Sequence, residues 1–397
     1  MNTFRRRVIW GVLALVLGLV GAAAYVYIVG TRTLLEHAEA FEFRRLLVAK
    51  VDDTAFRFFY VTNRRSVDLH GPVEGRFATD RGPTLSFGHF DTTIEPTLGL
   101  GIIVDPSAWF VNEEINLRAV RSLEQEAFLA ELRQQVEASP ARSLLLVVHG
   151  FREAFPSALR KTAFLAHVLD IDTPVVVFDW PGDQGSSLRG YRRARQMAYA
   201  SGAELASTLK LIVEEVRPQR LWLIANSMGG QVVVDAFSVL SQDQRFADLQ
   251  PEIENVLLTA PDIDRESFKS RFKRDMATIA GKVTVYVSSN DRALLVSRII
   301  NRRARLGESS LDPRNPGQLE EATEVYDMLE PGDHRLALVD VTPVNRTRNF
   351  HNFSLETPEF FDDLFLRLTG PSNLFTRELY PITTPDGSHY YVLTRGR

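Results

Sequence analysis

Residues 220–237 read RLWLIANSMGGQVVVDAF. The run from Leu221 to Ile224 is continuously apolar, as in a strand buried on both faces. Ser227 follows three residues later, and QVVVDAF then continues as an apolar helix. A strand that turns sharply into a helix at a serine lifts the hydroxyl above the sheet, where it can act as a nucleophile. The usual surroundings of such a serine are G-x-S-x-G; here they are Ala225-Asn226-Ser227-Met228-Gly229, with the next smallest residue in the first glycine position. A serine in this place can also simply cap the helix. The strand before it, the helix after it and Gly229 together favour the nucleophile.

Working outward, similar short runs recur: LLLVV (144–148), PVVVF (174–178), NVLLTA (255–260), KVTVYVS (282–288) and LALVDV (336–341). Helical patterns lie between them, at 156–169, 191–216, 228–240, 265–276, 293–304 and 358–368. Alternating strands and helices predict an α/β fold with a mostly parallel, doubly wound sheet. Segment 143–370 is the expected core and 55–142 an N-terminal strand and loop extension of it. AFRFFYVT (55–62) is that extension's first strand, and short strands and loops are expected from Asn63 to Trp109. Segment 371–397 is a tail that can form a hairpin about Pro385-Asp386-Gly387.

A serine nucleophile needs an oxyanion hole, a base and an acid. The Met228 amide, at a helix N-terminus, is one expected donor. The second is the Phe151 amide, because LLLVVHGF ends a strand in His149-Gly150 and the glycine permits a sharp turn. With the nucleophile on a strand–helix turn, the partners follow in the order serine, acid, histidine. Of the eight histidines, five precede Ser227 and His334 precedes the strand at 336–341. His351, in the polar loop NRTRNFHNF, is therefore the preferred base, with His389 as the rival. Asp291 follows VTVYVSSN and is the preferred acid; Asp262 and Asp264, in TAPDID, are rivals, and Asp264 is also placed to cap a helix. Asp340 lies inside its strand and reads as part of a local hydrogen-bond network.

The motifs VVHGF, FDWPG, IANSMGG, APDID, VYVSSNDRAL, VDVT and FHNF, with FFYVTNR and LSFG before them, resemble the bacterial esterase/lipase-superfamily α/β-hydrolases of unknown function. The resemblance covers about residues 57–368. It implies an α/β-hydrolase fold and a triad on Ser227, Asp291 and His351, the residues already chosen. Asn226 stands where such sequences often carry His, and Ala225 where classical esterases carry Gly. The implied reaction is acyl transfer from an ester-type small molecule or lipid to water. Thioester or peptide hydrolysis on the same triad is one alternative, and a non-catalytic membrane-tethered scaffold is another.

Composition narrows the remaining possibilities. The 397 residues carry a net charge of −4, which offers no general field for nucleic acid. Cysteine is absent, so disulfides, thiolate nucleophiles and cysteine-bound metal are excluded. No phosphate-binding loop, dinucleotide fingerprint or metal-ligand motif is present, and no cofactor or metal is expected. Arg298, Arg302, Arg303 and Arg305 form a basic cluster that reads as a solvated helix end or as a site for an anionic headgroup. Only about seventeen residues separate Asp264 from Lys282, leaving no room there for a large cap. Any cover is expected from the N-terminal extension and the loop at 301–334.

At the N-terminus, Arg5, Arg6 and Arg7 precede 23 uncharged residues from Val8 to Gly30. A helix of that length, rising about 1.5 Å per residue, crosses a hydrocarbon core of about 30 Å. Segment 1–30 is read as a single-pass anchor in a bacterial inner membrane and 31–54 as a stalk. The basic flank places the catalytic domain in the periplasm. A cleaved signal peptide ending near Ala22 and Ala24 is the competing reading.

Overall fold

The computed structural model describes residues 17–18, 55–94, 115–169, 171–246, 251–264, 267–268, 273–289, 291, 294, 306, 336–345, 353–370, 377–383 and 389–394. Its centre is an eleven-stranded sheet. In chain order the strands are β1 (Ala55–Ser66), β2 (Phe77–Ile94), β3 (Ile115–Leu123), β4 (Ser143–Val148), β5 (Val175–Asp179) and β6 (Arg220–Asn226). They continue with β7 (Ile253–Thr259), β8 (Ala280–Val287), β9 (Leu336–Asp340), β10 (Leu379–Thr383) and β11 (His389–Leu393). Their spatial order is β10-β11-β9-β8-β7-β6-β4-β5-β1-β2-β3. Every pair from β1 across to β11 is parallel; only β1–β2, β2–β3 and β10–β11 are antiparallel.

Seven α-helices among the described residues accompany the sheet: α1 (Gln125–Ala138), α2 (Phe155–Leu169), α3 (Leu188–Leu211), α4 (Gly229–Leu240), α5 (Lys273–Ile279), α6 (Phe353–Glu356) and α7 (Pro358–Thr369). The continuous apolar runs of the central strands arise because both faces are covered. Along β4, Leu144, Leu146 and Val148 point into a core shared with α1, α3, α4 and α5. Leu145 and Val147 point into the opposite core, shared with α2, α6 and α7. In β6 the same alternation sends Leu223 and Ala225 one way and Trp222 and Ile224 the other.

The extension departs from the expected short strands and loops. β1 has 12 residues and β2 has 18, and together they form one long antiparallel hairpin. The turn-forming residues of FATDRGP, which read as loop, are absorbed at the pairing irregularities between Thr62 and Ser66. Gly88 is required by a close crossing: a β-carbon there would sit 2.1 Å from the Arg121 carbonyl oxygen and 2.4 Å from the Tyr60 ring. β3, which the sequence reading did not contain, forms the outer edge. The tail is also part of the sheet, because β11 runs parallel to β9.

One polarity governs the placement of the site. β1, β4, β5, β6, β7, β8 and β9 are parallel, so Thr62, Val148, Asp179, Asn226, Thr259, Val287 and Asp340 all lie at the same, carboxyl edge. Ligands of open α/β sheets bind beyond that edge. Among the described residues no helix is long and apolar enough to cross a membrane. The stretch at 8–30 lies outside them apart from Leu17 and Gly18, which are helical.

Candidate active site

Ser227 lies between β6 and α4 with φ of +52°, in the left-handed region that costs a non-glycine residue energy. Surrounding backbone bonds hold it there. Its amide donates to the Thr259 carbonyl (2.8 Å), while its carbonyl accepts from the amides of Gly230 (3.0 Å) and Asp262 (3.1 Å). The turn therefore ties β6, β7 and α4 together at one residue. Asn226 secures the same turn from the side. Its Oδ1 accepts from the Thr259 hydroxyl (2.9 Å) and the Ser354 hydroxyl (3.3 Å).

The β4 loop packs directly on this turn. A β-carbon on Gly150 would stand 3.2 Å from the Ser227 Cβ. The loop and the serine turn are thus in close contact. Met228 is buried at the start of α4. Among the described residues neither the Phe151 nor the Met228 amide donates to a backbone carbonyl.

Beneath this loop lies a set of charges that the sequence reading missed. Asp179, the last residue of β5, is fully buried. Its Oδ2 accepts from the Thr62 hydroxyl (2.6 Å) and Arg64 Nε (2.8 Å), and its Oδ1 meets His149 Nε2 (3.0 Å). Burial pushes the Asp179 carboxyl up, but the Arg64 charge and the His149 contact outweigh it and hold it below its ordinary range. Arg64 is itself only 2% exposed, and its Nη2 donates to the carbonyls of Glu153 and Trp180, each at 2.8 Å. The His149 ring stacks on Trp180 at 5.5 Å, and Trp180 Nε1 donates back to the His149 carbonyl (2.8 Å). Glu153 pairs with Lys161 and accepts from the Ser157 hydroxyl (2.5 Å). Burial pushes the Glu153 carboxyl up, but Lys161 and Ser157 bring it below its ordinary range.

Two rival acids have other partners. Asp262 accepts from the Tyr191 hydroxyl (2.8 Å), and the Tyr191 ring meets the Phe151 ring edge-on at 5.7 Å. Asp264 Oδ1 accepts from the Ser267 amide and hydroxyl, both at 2.8 Å, as a helix cap does. Asp291 is buried just beyond β8 and accepts from the Leu294 amide (3.0 Å). Asp340 accepts twice from Thr342, through its amide at 2.8 Å and through its hydroxyl at 2.5 Å. Burial pushes the Asp340 carboxyl up to about 6, and the Thr342 bonds only partly oppose this.

His389 begins β11, which is parallel to β9, so it sits at the amino edge, opposite the serine. His351 and Arg298, Arg302, Arg303 and Arg305 lie outside the described residues, as does the loop at 301–334 apart from Leu306. No cluster of potential metal ligands occurs among the described residues. The motifs VTNR and FDWPG contained Arg64 and Asp179, but nothing in either motif announced that the two residues meet.

Solved structures that resemble the chain include three hydrolases. A zinc-bound, cold-adapted esterase from an Arctic intertidal metagenomic library is 13% identical with a TM-score of 0.36, over 81% of this chain and 97% of its own. The Pyrococcus furiosus esterase Pf2001 is 13% identical with a TM-score of 0.34, over 57% of this chain and 80% of its own. A Mycobacterium tuberculosis puromycin-hydrolyzing peptidase is 13% identical with a TM-score of 0.31, over 78% of this chain and 40% of its own. No curated protein matches the chain. Residues 124–361 match the model of the α/β-hydrolases of unknown function termed DUF900, and the chain belongs to that family.

Proposed function

We propose that the protein is a serine hydrolase that transfers an acyl group from an ester-type substrate to water through Ser227. The observation that carries this reading is the +52° φ of Ser227, on a strand–helix turn packed against Gly150. A strained serine at the carboxyl edge, beside two amides at a loop and a helix N-terminus, has the parts of an acyl-transfer site.

In the proposed cycle the Ser227 hydroxyl attacks the carbonyl carbon while His351 takes its proton. The Phe151 and Met228 amides hold the resulting oxyanion, and Asp291 fixes the imidazole. His351 then returns the proton to the leaving alcohol, giving an acyl-enzyme. Water, deprotonated by His351, releases the acid and restores the serine. The position of Asp291 beyond β8, two strands after the serine strand in the sheet, supports its role as the acid. The ties of Asp262 to Tyr191 and of Asp264 to Ser267 support it further.

A fluorophosphonate probe tests the assignment. It should label the wild type and leave Ser227→Ala unlabelled, and the wild type should hydrolyse p-nitrophenyl acetate. A folded wild type that neither labels nor turns over is instead a scaffold. The charge pattern at residues 5–30 supports anchoring with the hydrolase outside the cytoplasm. Protease added to spheroplasts should then digest the hydrolase domain.

A further inference from the structure

The Gly150–Phe151 peptide is held from behind. His149 Nδ1 lies 2.9 Å from the Gly150 carbonyl oxygen, which can only accept, so this nitrogen carries the hydrogen. In a planar trans peptide the C=O and the following N–H point in opposite directions. Fixing the Gly150 oxygen on the imidazole therefore aims the Phe151 amide away from the imidazole. The other ring nitrogen lies between the Trp180 amide, which reaches it at 3.1 Å, and Asp179 at 3.0 Å. Arg64 holds both sides of this contact, through the Asp179 carboxylate and the Trp180 carbonyl. Arg64 also grips the Glu153 carbonyl, at the far end of the same loop. The Arg152 amide between them donates to the Gly182 carbonyl (3.0 Å).

Arg64 belongs to β1, outside the residues that match the family model. A buried guanidinium is costly unless its donors are used. This one divides its donors between a carboxylate and two loop carbonyls, which an ammonium on a single stem does poorly. We propose that Arg64 is a positioning residue for the oxyanion hole, acting through Asp179 and His149 to aim the Phe151 amide. This rests on the serine-hydrolase reading. It adds to it that the N-terminal extension completes the site.

The test compares p-nitrophenyl acetate with its thionoester, in which sulfur replaces the carbonyl oxygen. Sulfur is larger and a weaker acceptor, so a well-aimed oxyanion hole favours the oxygen ester. Arg64→Gln should lower kcat on the ester by roughly 100-fold and Arg64→Lys by roughly 10-fold, with KM within about twofold. The thionoester should lose much less, so the preference for oxygen shrinks. Thr62→Val, which removes one hydrogen bond from Asp179 and the acceptor of the Arg64 amide (3.1 Å) but keeps the guanidinium, gives the same readout with a smaller loss should Arg64→Gln fail to fold. Equal losses on both substrates, or an ester kcat within about twofold of wild type, would overturn the proposal. A wild type that hydrolyses neither substrate and takes no fluorophosphonate would instead sink the hydrolase reading, and this proposal with it.

Discussion

Gly229 and His149 touch backbone to backbone: a β-carbon on Gly229 would lie 2.4 Å from the His149 carbonyl oxygen and 2.7 Å from that of Val148. Both obstacles belong to the end of β4 and cannot rotate aside as a side chain can. Gly229→Ala should therefore push α4 away from the β4 loop and separate Ser227 from Gly150. We expect a destabilisation of about 1–3 kcal/mol and loss of fluorophosphonate labelling. Thermal melts with gel-based labelling read both. A variant that labels at the wild-type rate would show that this approach is not needed for the site.

The choice of acid predicts an ordering. Asp291→Asn should lower turnover by roughly four orders of magnitude with the fold intact, because the histidine loses its orienting charge. Asp264→Asn should keep most activity and cost about 1 kcal/mol or less as a weakened cap. Asp262→Asn keeps an acceptor for the Tyr191 hydroxyl and should also stay active. Kinetics on a short-chain ester, with circular dichroism as control, separate the three. Near-normal turnover in Asp291→Asn would move the acid elsewhere.

Asp340 predicts a pH effect with a definite sign. Its folded value, about 6, lies above the ordinary 3.8, so the folded state holds its proton more tightly than the unfolded one. Below about pH 4 both states are protonated and the burial has no ionic cost. Between about pH 4 and 6 stability falls as pH rises, by up to roughly 3 kcal/mol in all. Asp340→Asn keeps an oxygen for the Thr342 donors and should melt higher than wild type at pH 7.5. The two curves should meet below about pH 4. A constant offset across that range would contradict the buried carboxyl.

Asp363 predicts the opposite kind of dependence on a partner. Arg377 grips it with Nε (2.8 Å) and Nη2 (3.0 Å), and the Tyr286 hydroxyl adds a third bond (2.7 Å), joining α7, β8 and the approach to β10. Asp363→Ala would strand a buried guanidinium, at a cost of about 3–5 kcal/mol. Chemical denaturation should show that loss. A double variant, Asp363→Leu with Arg377→Met, should recover much of it.

The parallel core was legible because each central strand is apolar on both faces, which gives runs such as LLLVV and RLWLI. The elbow was legible because its chemistry is local: strand, serine, small residue and helix occupy one short stretch. The extension was not. Its strands carry Asp80, Arg81, Gly82 and Pro83, residues that signal turns, and their pairing depends on partners far along the chain. The Arg64–Asp179 pair was hidden for the same reason. It joins residues 115 positions apart, and no periodicity reports a contact of that range.

β1 lies between β5 and β2, inside the sheet rather than beside it. The match to the family model, which begins at residue 124, therefore does not start at the edge of a unit of folding. A fragment cut there would expose β5 as a raw edge of VVVFD, fully apolar but for its last residue. Such an edge invites strand pairing between molecules and aggregation. The β1–β5 pairing also closes more than a hundred residues of intervening chain, which makes it a slow step in assembly. During synthesis, β1 can pair with β2 at once, but its other edge stays open until β5 has emerged. Expression yield should depend on how well that interval is protected.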